Sequence, residues 1–222
     1  MAVIINGTTG ITSPEPFVLQ SGSLSSPAVA GQTEYDGKVF YQTPQGTQRG
    51  VVPGAQFFRL DSSLAGANVN TAQSVFGVGV TLSSSTVYAF EATYVFTKSA
   101  GTTSHTFSIG FGGAATINNI GYEALYAYSA TTLTPGNGSA NSMLSYIATA
   151  SSTQLNSGIT SAAVYQQIVI KGIVSVNSGG TFIPQYTLSA APGGAYTTQA
   201  NCYFMIYPIG ASGANVNVGT WA

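Results

Sequence analysis

From residue 55 onward the chain alternates between apolar and polar positions with a period of two. At that spacing the side chains of an extended strand point to opposite faces. In 87–96, Tyr88, Phe90, Ala92, Tyr94 and Phe96 fall on one face, and Val87, Ala89, Glu91, Thr93 and Val95 on the other. The pattern predicts a strand with an aromatic side. His105, Phe107, Ile109 and Phe111 alternate with Thr106, Ser108 and Gly110. Ile168, Ile170, Gly172, Val174 and Val176 alternate with Val169, Lys171, Ile173 and Ser175. Further strands are expected over 73–82, 121–128, 143–149, 181–189 and 202–209. Turn formers lie between them, as at Ser83-Ser84-Ser85, Ser99-Ala100-Gly101, Pro135-Gly136-Asn137-Gly138 and Ala191-Pro192-Gly193-Gly194. No window carries a capped helical period. About eight or nine short strands joined by such turns predict an all-β head over 55–222, a jelly roll or β-sandwich.

The chain before residue 55 differs. In 31–54, Asp36-Gly37 is a tight-turn signal between Glu34-Tyr35 and Lys38-Val39-Phe40-Tyr41. Gln45-Gly46 marks a second turn before Val51-Val52, so a β-hairpin neck is expected. Residues 1–30 are rich in Gly, Ser, Thr and Pro, with the short apolar runs Val3-Ile4-Ile5 and Phe17-Val18-Leu19. Pro14, Pro16 and Pro27 prevent a continuous helix. This segment is expected to be an extended arm that needs something else to pack against.

Charge changes the picture most. Charged residues make up 5% of the chain, against about 25% in a typical soluble domain. After Glu123 the one charged residue is Lys171. Catalysis, metal binding and phosphate recognition need clustered ionisable groups, and this sequence offers few to cluster. It is therefore expected to have no catalytic, cofactor-binding or metal-binding residues and to work through surface and assembly. Lys38, Arg49, Arg59, Lys98 and Lys171 each stand alone, which argues against nucleic-acid binding. No apolar stretch is long enough for a transmembrane helix. The N-terminus lacks the basic start of a signal peptide. The single cysteine, Cys202, lies in an apolar run and is expected to be a small buried hydrophobe.

The candidate sites follow from this shortage. His105, the one histidine, begins a strand with no acid nearby in sequence, so a structural or surface role is expected. Glu91 and Glu123 fall on different strands, where either could meet Asp61 as the carboxylate pair a glycosidase needs, but a subunit seam or a solvated face is the expected place for them. Glu34 and Asp36 fall short of a calcium loop. Tyr122, Tyr126 and Tyr128 share one face of 121–129, and Tyr196, Tyr203 and Tyr207 lie near the end of the chain. Such rings can fill a core, line a seam or offer flat contact to a sugar or a protein.

Several strings resemble tailed-bacteriophage virion proteins. Met1-Ala2-Val3-Ile4-Ile5-Asn6-Gly7-Thr8-Thr9-Gly10-Ile11-Thr12 resembles the start of many tail-fibre proteins. The block from Glu34 to Tyr41, followed by Arg49-Gly50-Val51-Val52, resembles the connector that precedes a fibre's C-terminal head. Segments 70–80 and 207–214 are similar to C-terminal modules of phage virion proteins. The resemblance implies a structural virion protein, a homotrimer assembled in the bacterial host cytoplasm. Its leading form is a short trimeric tail fibre acting in host attachment and receptor binding. The alternative is a trimeric capsid decoration protein, a cement or head fibre that stabilises the head. The chain is short for a fibre and has no long shaft. The implied partners are tail, baseplate or capsid proteins and a host surface glycan or protein. In this reading Val3, Ile4, Ile5 and Phe17 anchor the arm on the virion. Host contact falls to the loops of the head, with Asn137 and Tyr196 as the candidate receptor-binding residues.

Overall fold

Two features of the sequence, period-two alternation and glycine at many of the corners, shape the described part of the protein. In the computed structural model, residues 18–129, 141–156 and 158–221 are described, and these hold strands and no helix. They divide into two units, one of residues 18–52 with 218–221 and the other of 53–217.

The first unit is a three-stranded antiparallel meander of β1 (Thr33–Tyr35), β2 (Phe40–Gln42) and β3 (Gly50–Val52). The Asp36-Gly37 turn forms as the sequence predicts, with Gly37 at φ 94°, where a side chain would be strained. Asp36 stabilises the turn directly. Its Oδ1 accepts from the backbone N–H of Lys38 and of Val39, each at 2.8 Å, and its Oδ2 accepts from the Tyr41 hydroxyl at 3.0 Å. Partial burial works against the charged form, but these bonds hold the carboxyl below its ordinary range, while burial and Asp36 push the Tyr41 hydroxyl up to about 12. The structure draws no boundary at residue 30. The Ser25 N–H and hydroxyl donate to Glu34 at 2.7 and 2.9 Å. Arg49 pairs with Glu34 at 2.8 Å and donates to the Ser25 carbonyl at 2.6 Å. Residues 18–30 thus belong to the neck. The anchor candidates Val3, Ile4, Ile5 and Phe17 lie outside the described residues.

The second unit is a β-sandwich of antiparallel sheets. Its strands are β4 (Gln56–Arg59), β5 (Leu64–Ala65), β6 (Gln73–Ser74), β7 (Val80–Leu82), β8 (Thr86–Lys98), β9 (Phe107–Gly112), β10 (Thr116–Ser129), β11 (Asn141–Ile147), β12 (Thr153–Gln154), β13 (Val164–Ser178), β14 (Gly180–Leu188), β15 (Thr197–Thr198) and β16 (Tyr203–Ala211). The larger sheet runs β11-β10-β13-β8, and beyond β8 it splits into β16-β4 and β15-β5. The smaller runs β12-β9-β14, with β6 and β7 both on β14. From β8 to β14 the chain mostly passes from one sheet to the other. One crossing has a single residue, Gly179, between β13 and β14. A side chain at the next residue, Gly180, would sit 2.7 Å from the Ala115 nitrogen, so that corner requires glycine.

The alternation along β8 explains the core. Tyr88, Phe90, Ala92, Tyr94 and Phe96 are buried, as the period predicts. They meet Phe107, Phe182 and Tyr186 of the smaller sheet, and Phe111 packs against this cluster. Phe111 stacks on Phe182 at 4.5 Å and Phe107 on Tyr186 at 5.3 Å. Tyr122 and Tyr126 also face inward and are buried, so on β10 the core reading of the tyrosines holds. Cys202 is buried and accepts from the Val95 N–H at 3.0 Å, as a small interior residue. The predicted strand 73–82 is broken instead into β6 and β7. Gly77 between them has φ 73°, and at Gly79 a Cβ would lie 2.5 Å from Ile183 Cγ1. The chain turns there, and the two pieces pair with β14 separately.

Candidate functional site

Apart from the exposed Arg59–Asp61 pair, the charged side chains and the histidine of the sandwich fall into two groups, one inside and one on a sheet face. The inner group begins with Lys98, the last residue of β8. Alternation turns it to the core side, where it is 4% exposed. Its Nζ donates to the carbonyls of Ala100, Gly101 and Ser161 at 3.1, 2.6 and 2.7 Å. Three donors meet three acceptors, which is what a buried ammonium requires. Burial still pulls its pKa below the ordinary value.

His105 is 2% exposed. The Thr103 carbonyl can only accept, so Nδ1 carries the proton and donates to it at 2.7 Å. Nε2 of the neutral ring then accepts from the Tyr196 hydroxyl at 2.8 Å. Burial depresses the His105 pKa, the Thr103 bond partly opposes this, and the Lys98 charge adds to the depression. The imidazole is thereby a two-ended strut. A folded-state pKa below the ordinary 6.5 means that the unfolded chain binds the proton more readily, so stability rises with pH. The sandwich is therefore expected to lose stability as pH falls below about 6.5, above the range where carboxylates titrate. Urea midpoints at pH 7.5 and 5.5 should differ in the native protein and converge in His105→Gln. Equal pH dependence in the two proteins would remove His105 as the cause.

This geometry corrects one expected site residue. Tyr196 is fully buried, its ring packed edge-on against Phe107 and its hydroxyl held by His105, so it presents no surface to a receptor. The adjoining glycine turn is also occupied. A side chain on Gly194 would overlap the Ala100 carbonyl and one on Gly101 the Gly193 backbone, and the Gly193 N–H donates to Asn68 Oδ1 at 2.9 Å. The glycines of this turn serve close packing between loops. The other candidate, Asn137, lies outside the described residues.

The second group lies on the outer face of the larger sheet. Register places Glu123 beside Lys171 and Lys171 beside Glu91 on the adjacent strands β10, β13 and β8. Tyr146 of β11 flanks Glu123, and Met205 of β16 flanks Glu91. The Glu–Lys–Glu row thus crosses the middle of the face. Asp61 joins neither acid; it pairs with Arg59 at 2.7 Å. Around the row the face is apolar and open. Leu144 and Tyr146 are 66% and 72% exposed, and Leu125, Val169 and Ile173 are also exposed. Gly121 leaves room for Tyr146, since a Cβ there would overlap the tyrosine hydroxyl. Tyr146 therefore reaches over β10 toward the row. A depression of about 610 Å³ lies here, floored by Ala89 and Gly121 and bordered by Tyr146, Tyr207 and the charged row. A smaller apolar cleft of about 320 Å³ opens between Phe57, Phe58, Val78 and Pro184.

Among the described residues, no group of three or more His, Cys, Asp or Glu side chains could hold a metal ion. No protein-family model, curated protein or solved structure matches this chain. What remains is the arrangement itself. Lys98 and His105 brace the interior, and the free charges sit in one row on an apolar sheet face. Sequence reasoning found the residues of that row but not their alignment, because register between distant strands has no local signal. It missed Tyr146 altogether.

Proposed function

We propose that this protein is a structural virion protein of a tailed bacteriophage, a short trimeric tail fibre that acts in host attachment. The observation that carries the reading is the open, apolar outer face of the larger sheet. Monomeric proteins seldom leave a broad face of this kind uncovered. The buried imidazole and ammonium support the same view, since both hold backbone and ring positions. The virion setting comes from the fibre-like strings at the N-terminus and in the neck. In this reading Val3, Ile4, Ile5 and Phe17 attach the arm to tail or baseplate proteins, and the Pro135–Gly138 turn with Asn137 contacts a host surface glycan or protein. The protein has no catalytic role and holds no cofactor.

The test is antibody labelling of intact particles. Label at the tail tip, with host adsorption blocked by the same antibody, is the expected result. Label spread over the head would replace this reading with that of a capsid decoration protein. Absence from purified particles would end both.

A further inference from the structure

We propose that the outer face of the larger sheet is the seam between copies of this chain, with Lys171 of one copy seated against Glu91 or Glu123 of the next. The inference rests on the trimeric reading above and specifies the surface that makes it.

Size fits first. Six strands from β11 to β4 span about 24 Å at a spacing of about 4.8 Å, and seven residues along a strand span about 23 Å. The flat area is about 550 Å², and the relief of the side chains raises it toward the roughly 800 Å² per partner of a standard protein interface. Chemistry fits next. The exposed Leu125, Leu144, Tyr146, Val169 and Ile173 form an apolar surround with an aromatic member, and apart from Arg59 on the edge strand β4, which is paired with Asp61, the charges are confined to one row.

The sign pattern selects the occupant. The row reads negative, positive, negative across adjacent strands. Around a three-fold axis the three rows converge, and an offset of one strand sets a Glu of one copy against the Lys of its neighbour; without an offset like charges meet. A second copy therefore brings the complement that the row needs and fixes the offset at which it docks. An anionic envelope or nucleic acid would meet two carboxylates for each amine. Of the other cations described in this unit, Lys98 is buried against carbonyls and Arg59 is paired with Asp61, so neither supplies the countercharge.

The experiment uses two full-length charge variants and light scattering in 0.15 M salt. Lys171→Glu makes the row all acidic, and the double variant Glu91→Lys/Glu123→Lys makes it all basic. Each should shift the oligomer to monomer while unfolding as cooperatively as the native protein, because all three side chains lie outside the core. Mixing the two variants should restore an oligomer. Tyr146→Ser, at an exposed position, should weaken association at least tenfold. A native protein that is monomeric at micromolar concentration would overturn the inference. So would variants that keep the native mass, or a mixture that stays monomeric. A native oligomer indifferent to these changes moves the seam elsewhere and leaves the virion reading standing. Loss of virion label with an intact seam removes that reading alone.

Discussion

Phe90→Ala should cost the sandwich about 4 kcal/mol, the scale on which a large aromatic is lost from a close-packed core. Phe90 is 2% exposed, on the inner side of β8, the strand bordered by β13, β15 and β16. Its ring meets Phe111 edge-on at 5.4 Å, stacks on Phe204 at 5.8 Å and touches Tyr122 and Phe182 at 6.1 and 6.3 Å. Those neighbours come from β9, β16, β10 and β14, so one side chain links both sheets. They also pack on one another, Phe111 against Phe182, Tyr122 and Phe204. Rings held on several sides cannot collapse into the space that alanine leaves, so the cavity persists. No disulfide shares the load, since Cys202 is free. Urea unfolding of native and variant protein measures the loss. A cost below about 1.5 kcal/mol would mean that the surrounding rings do relax into the space.

The same strand shows how far the sequence alone can be read. The inward set Tyr88 to Phe96 follows from alternation, since burial on one side suffices to fix it. The buried state of Cys202 also follows, from the apolar run around it; for His105 the lack of a nearby acid leaves a structural or a surface role, and its burial decides for the first. The break between β6 and β7 does not follow. Val75, Phe76, Val78 and Val80 look like one strand until Ile183 of β14, the strand that both pieces pair with, comes against Gly79. The neck boundary is similar. Ser25 looks like part of a loose arm, and what fixes it is the Glu34–Arg49 pair formed from residues further along the chain. Tyr196 misleads for the opposite reason. A tyrosine beside a glycine turn suggests an exposed loop, but its hydroxyl meets a histidine 91 residues away. In each case the deciding partner is distant in sequence. The Glu–Lys–Glu row is the largest example, since it exists only through the registers of β8, β10 and β13.

Lys98→Met should destabilise the sandwich by about 3 kcal/mol, although methionine keeps most of the apolar stem and suits a buried position. The loss comes from the acceptors. The carbonyls of Ala100, Gly101 and Ser161 all bond to Nζ. A thioether offers them no donor, and a carbonyl left without a partner costs about 1–3 kcal/mol wherever water cannot take the place of the ammonium. Opening of the loop to water is resisted on one side. Ala100 and Gly101 pack backbone to backbone against Gly193 and Gly194, and Gly101 holds φ 82° to do so. The turn therefore either keeps its orphaned carbonyls or gives up its contact with the 192–194 turn. The Thr103 carbonyl and His105 follow directly along the chain, so the damage should spread to the Tyr196 strut. Hydrogen exchange separates this from a general weakening. Amides of 99–105 and 192–196 should exchange faster in the variant even under conditions where β10 and β13 stay protected. Lys98→Arg should not rescue the site, because the broad planar guanidinium cannot converge on three carbonyls arranged around a single nitrogen. If Lys98→Met unfolds within about 0.5 kcal/mol of the native protein, the ammonium is not what holds these two turns together.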